Sequence, residues 1–248
     1  MSKYGQRNLD WFEALVNKLG GEDGVERFLR DELVLVERQA QTVPRQVNLA
    51  KLVAMAGSGD TVSTEDIEKC LELKWTIEDG VIYPTLPPTT GRTGEEWFAH
   101  FKQKGDRVDG YAKSVLFSKK FLPTTGVVNK IAVLPAKLWK DSDRLTKRIR
   151  KDACAGIFTK GQKLSDPNAE VSCLIRDYLT DEEIEALGLW YIVGMHEPIK
   201  DADGHPHLIG AHRHDDGRWL HAYYDDPDGQ WSGHGGFAFS VPQVSSQN

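Results

Sequence analysis

Apolar positions repeat at helical spacing through the first third of the chain, at mixed spacing in the middle, and in alternation from Leu189 onward. In the first third, Asp10 suits a helix N-cap, with Glu13 three residues on as in a capping box. Phe12, Leu15, Val16 and Leu19 then fall on one face before Gly20-Gly21. Val25, Phe28 and Leu29 suggest a second short helix, Val47, Leu49, Leu52 and Val53 a third, and Ile67, Cys70 and Leu71 a fourth. A helix-turn-helix DNA reader is disfavoured, because Glu65, Asp66, Glu68 and Glu72 crowd the fourth helix and would repel phosphates.

The segment YPTLPPTTGRTG (83–94) holds three prolines and two glycines, which neither a helix nor a central strand tolerates. It marks a boundary. Beyond it, Thr93 caps a helix carrying Trp97, Phe98 and Phe101, and a short helix follows near 109–117. VVNKIAVL (127–134) reads as a strand and DSDRLTKRIRKDACAG (141–156) as a helix. A further helix opens at Asp166-Pro167, and Thr180 with Glu183 makes a capping box. LWYIVGMH (189–196), HPHLIGAHRH (205–214), RWLHAYYD (218–225) and GFAFSVP (236–242) then alternate, separated by Asp/Gly-rich turns. The pattern predicts an α+β chain: a helical N-terminal unit (1–82), a Pro/Gly-rich boundary (83–94), and an α+β domain (95–248). That domain comprises a basic helical middle with one strand, then a C-terminal antiparallel β-meander.

Four stretches carry a resemblance: NLDWFEALVNKLGGEDGVERFLR (8–30), FLPTTGVVNKIAVLPAKLW (121–139), PNAEVSCLIRDYL (167–179) and TDEEIEALGLWYIVGMHEPI (180–199). Together they resemble an uncharacterised protein family associated with uncultivated, reduced-genome bacteria. The resemblance covers most of the chain and implies a cytoplasmic bacterial protein. It brings no activity, ligand or catalytic residue with it.

Composition narrows the class. The chain has 248 residues, 40% hydrophobic and 27% charged, as expected of a globular protein. Neither a membrane-length apolar run nor a secretory signal is evident, so a cytoplasmic protein without a membrane partner is expected. Cys70, Cys154 and Cys173 are too few and too scattered for a disulfide framework or a paired-cysteine zinc site, and are expected to be core residues. Net charge is −6, but unevenly spread: −5 over residues 1–90, +10 over 91–163 and −11 over 164–248.

Two constellations suggest chemistry. In HRHDDGRWLH (212–221), an Asp216-Gly217 type I′ turn would set His212 opposite His221 and His214 opposite Trp219. His212, His214 and His221 would then share one sheet face, as three ligands of a zinc ion with an open fourth position. Glu197 or Asp225 would serve as base or second shell. The plain alternative is a solvated hairpin face. The second constellation is basic: Arg144, Lys147, Arg148 and Lys151 recur at helical spacing, opposite Leu145, Ile149 and Ala153. Such a stripe suits an anionic partner such as nucleic acid, or an internal contact with the acidic C-terminal region. GSGD (57–60) lacks the lysine of a phosphate loop, and DADG and DDPDG lack a calcium loop's distal glutamate, so these read as turns. The expectation is a non-enzymatic binding protein that contacts an anionic partner through the basic helix, without a cofactor. The alternative is a zinc-dependent hydrolase at the three histidines.

Overall fold

The fold comes from a computed structural model, which describes residues 45–47 and 71–242. A two-stranded antiparallel ladder joins β1 (Arg45–Val47) to β2 (Leu71–Leu73). The remaining strands form one nine-stranded mixed sheet. In chain order these are β3 (Trp75–Glu78), β4 (Val81–Pro84), β5 (Arg107–Val108), β6 (Ile131–Pro135), β7 (Tyr191–Gly194), β8 (Ile199–Lys200), β9 (Pro206–His214), β10 (Gly217–Tyr224) and β11 (Gly235–Ser240). Their spatial order is β3-β4-β6-β11-β7-β9-β10-β5, and β8 also pairs with β9. Five α-helices accompany them among the described residues: α1 (Gly94–Lys104), α2 (Gly110–Leu116), α3 (Thr146–Ala155), α4 (Glu170–Tyr178) and α5 (Asp181–Ala186).

Strand alternation divides the core into two layers. Ile131 and Val133 of β6, Ile192 of β7, Ile209 and Ala211 of β9 and Ala238 of β11 pack with α1, α2, α4 and α5. The intervening residues Ala132, Leu134, Tyr191, Val193, Leu208, Phe237 and Phe239 pack with Ile149 and Ala153 of α3. The Thr93 and Thr180 caps read from sequence are present, whereas the helix expected to open at Asp166-Pro167 begins only at Glu170. Thr93 and Thr180 each accept from the backbone three residues on, and Glu96 and Glu183 return the bond.

The sheet corrects the expected meander and its single middle strand. It is mixed: β11 runs parallel to β7, and β10 runs parallel to β5. The last strand lies between β6 and β7, not beside β10. Burial explains this. Gly235 through Phe239 are all buried, so both faces of β11 need cover, which a central strand receives and an edge strand does not. Gly235 and Gly236 permit the insertion, since a Cβ there would meet the Tyr191 ring at 2.6 Å and Leu189 and Val133 at 2.9 Å.

The helical reading of residues 1–82 is also corrected where it can be compared. Residues 71–73, 75–78 and 81–84 are strands. Asp79-Gly80 makes the β3–β4 turn with φ of 49° and 83°, the I′ signature. Val47, read as part of the third helix, is the end of strand β1, and the other helical positions read before residue 71 lie outside the described residues. Among the described residues, no helix is long and apolar enough to cross a membrane.

Candidate functional site

The β9–β10 turn differs by one position from the sequence expectation. Asp215 and Asp216 occupy the turn, and Gly217, at φ 135°, pairs with His214. The two aspartates keep negative φ, so the glycine is used just after the turn rather than inside it. The slip preserves parity. His212, His214, Trp219, His221 and Tyr223 still share one face, but Trp219 now faces His212 and Gly210 faces His221. His214 and His221 are therefore four residues apart along the ladder, about 14 Å at the usual strand rise.

His212 sits between the other two histidines, 5.3 Å from the His221 ring and 6.4 Å from the His214 ring, centroid to centroid. Burial, reinforced by His221 and His214, pushes the His212 imidazole down to about 4. The outer rings are turned to carboxylates: His214 Nδ1 lies 2.7 Å from Asp216 Oδ1, and His221 Nδ1 lies 2.7 Å from Asp109 Oδ2. Among the described residues, the metal-type donors that gather within 4.8 Å of one another are Asp201, Asp203 and His205. Those three belong to the DADG turn and the histidine that follows it, where Asp201 Oδ1 accepts from the backbone of Asp203 and His205 at 2.9 Å each.

The basic stripe is largely engaged within the chain. α3 begins at Thr146, so Arg144 precedes it, packed in with 15% of its side chain exposed. Its guanidinium meets Asp141 at 2.8 Å and the Ala136 carbonyl at 3.1 Å. Lys147 pairs with Asp228, and Arg148 Nε donates to Asp152 at 2.8 Å. Lys151 is exposed and makes no ion pair among the described residues. Of the cysteines, Cys173 is buried, whereas Cys154 is exposed on α3, contrary to its core reading; Cys70 lies outside the described residues.

A different constellation forms where β5 ends. Gly105, left-handed at φ 79°, turns the chain out of α1 and into β5. Beside β10, Val108 pairs with Leu220, and Asp109 N–H donates to the Leu220 carbonyl. The chain then leaves the sheet to start α2. The Asp109 side chain takes over where its backbone departs: Oδ1 caps α2 by accepting from Ala112 N–H, and Oδ2 accepts from Ala222 N–H, both at 2.7 Å. Burial pushes the Asp109 carboxyl up, but the bonds from His221, Ala112 and Ala222 outweigh it, and the net shift is downward. An ionised carboxylate only accepts, so His221 Nδ1 carries the proton and its Nε2 lone pair is bare in the neutral ring. The His221 side chain is 41% exposed.

Past Asp109 lies an open groove of about 580 Å³ between α2 and the edge of β10. Asp109, Tyr111, His207, His221 and Tyr224 line it. His207 is the second imidazole here, only 6% exposed. Its Nε2 donates to Asp201 Oδ2 at 2.8 Å, while its Nδ1 has no partner among the described residues. The Tyr111 ring stacks on it at 4.9 Å and 22°. His196 makes a contrast. It donates from Nδ1 to the Glu197 carbonyl at 2.7 Å and accepts at Nε2 from Ile209 N–H at 3.1 Å. Both of its nitrogens are spent on the fold, and burial holds it down to about 4.

Sequence reasoning found His221 but missed Asp109, Tyr111, Asp201 and His207. Asp109 was legible as a helix cap at the start of the 109–117 helix. Its contact with a histidine 112 positions away was not. Comparison with family models, curated proteins and solved structures finds no match to this chain.

Proposed function

We propose that this chain is an enzyme that performs proton transfer on a substrate bound in the groove beside β10. His221 is its general base, and Asp109 fixes the tautomer and orientation of that ring. The observation that supports this is the 2.7 Å contact between His221 Nδ1 and a carboxylate already held by two backbone N–H groups. A ring so anchored presents Nε2 at a fixed point, and a positioned base of this kind contributes roughly 10²- to 10⁴-fold to a rate. Among the described residues no lysine or arginine lines the groove, and Asp109 makes it negative, so a neutral or cationic substrate fits better than a phosphate.

The zinc reading is weaker, because the register carries His214 and His221 apart along the ladder. The nucleic-acid reading is weaker too, because Arg144, Lys147 and Arg148 already meet Asp141, Asp228 and Asp152. The test is acylation by diethyl pyrocarbonate, which reports unprotonated imidazole nitrogens, followed residue by residue by mass spectrometry. His221 should react faster than free N-acetylhistidine, and Asp109→Asn should bring it back to the free rate. A wild-type His221 no more reactive than free N-acetylhistidine would contradict the proposal.

A further inference from the structure

The edge of β10 is only partly covered. In the β9–β10 ladder the even residues of β10 turn their backbone groups away from β9: Leu220 O meets Asp109 N, and Ala222 N meets Asp109 Oδ2. Asp225 N, on an odd position, points back to Pro206 O, as this alternation requires. Two groups beyond Asp109 remain on the outer edge, Ala222 O and Tyr224 N, and neither has a partner among the described residues. Both belong to residues that line the groove.

We infer that the groove binds the extended N-terminal segment of a polypeptide, running parallel to β10, with its free α-amino group at Asp109. This rests on the proposed groove and names its substrate class. Strand geometry gives the pairing. In a parallel ladder one residue both donates to and accepts from the neighbouring strand. Asp109 occupies that place opposite His221, with its carboxylate replacing the carbonyl that has turned into α2. The next such place, opposite Tyr223, is empty of chain among the described residues, and a guest residue there would donate to Ala222 O and accept from Tyr224 N. The guest continues the line of β5 after the chain has left it.

Charge gives the direction. A parallel guest begins beside Asp109, and an antiparallel one ends there with its carboxylate against another. The Asp109 carboxylate offers about four acceptor sites, and Ala112, Ala222 and His221 use three. One remains for an ammonium group. In this register the first guest residue lies level with Ala222 and the second makes both edge bonds.

The experiment is calorimetric titration of the full chain with the pentapeptide Ala-Val-Thr-Val-Ala amide and three derivatives. One is N-acetylated, one N-methylated on the backbone nitrogen of its second residue, and one N-methylated at its third. The free peptide should bind. Acetylation should weaken it about tenfold or more, the worth of a charge-assisted hydrogen bond. Methylation at the second residue should weaken it comparably, and at the third should change little, because that nitrogen points away from the edge. Equal binding of the acetylated peptide would overturn the inference and assign the edge to strands without an end, such as a second copy of the chain. No binding of the free peptide at millimolar concentration would overturn it as well. Enhanced His221 acylation without peptide binding would remove this inference and leave the proposed base standing; the opposite pair of results would do the reverse.

Discussion

Asp109 joins the fold to the chemistry, so replacing it has two separable consequences. Asp109→Ala removes the cap of α2, a loss of about 1 kcal/mol. It also strips Ala222 N–H of its acceptor and His221 of its carboxylate, at about 1 kcal/mol each for partly exposed groups. The expected loss is about 3 kcal/mol, a fall in Tm of about 6–12 °C for a unit of this size. Asp109→Asn keeps an amide oxygen for the cap but puts an NH2 where Oδ2 accepted from Ala222 and met His221, so it should cost about 2 kcal/mol. The pH dependence has a definite sign. Asp109's carboxyl is lowered in the fold. Its contribution is therefore full above the unfolded value of about 3.9 and is lost as pH falls through the lower folded value. The gap between wild type and Asp109→Asn should be present above the unfolded carboxyl value and close in stronger acid. Urea denaturation of the three proteins across that range reads all of this. An Asn variant as unstable as the Ala variant at pH 7 would refute the capping role. A gap undiminished in strong acid, below the unfolded carboxyl value, would refute the assigned charge.

Three further outcomes follow from other parts of the molecule. His196 is held to about 4 in the fold against an ordinary 6.5, so the unfolded chain takes up the proton first. Stability should fall as pH drops from about 6.5 to 4, by at most about 3 kcal/mol from this residue, and urea titrations of His196→Gln should show a shallower slope. Gly94→Ala should destabilise by about 3 kcal/mol in thermal melts, because its Cβ would fall 1.7 Å from the Leu116 carbonyl oxygen; an unchanged Tm would contradict the close approach of α1 and α2. Zinc titrated into the protein should not load stoichiometrically on His212, His214 and His221. A one-to-one zinc complex lost in both His214→Ala and His221→Ala would restore the expected register.

Much of the fold was written locally. The Thr93 and Thr180 capping boxes and the two faces of the β9–β10 hairpin depend on residues a few positions apart, and their patterns are unambiguous. The order of strands was not legible in that way. β11 pairs with strands about 45 and 100 residues earlier, and the clue was its burial on both faces rather than any turn. The hairpin register turned on which residue of Asp-Asp-Gly took which turn position, a difference too small for composition to decide. The site was half legible for the same reason. His221 stood out as one of three clustered histidines, whereas its meaning depends on Asp109, brought beside it by a two-residue parallel strand that carries almost no pattern.

The central claim is that Asp109 holds His221, which lines the groove, with its proton on Nδ1 and a bare Nε2. Long-range ¹⁵N–¹H correlation spectra of selectively labelled histidine, assigned with His221→Asn, measure this at each ring nitrogen. Above the ring's titration midpoint, the account predicts a protonated Nδ1 and an unprotonated Nε2 at His221, a preference that Asp109→Asn relaxes. A neutral His221 ring with its proton on Nε2, unaffected by Asp109→Asn, would contradict it.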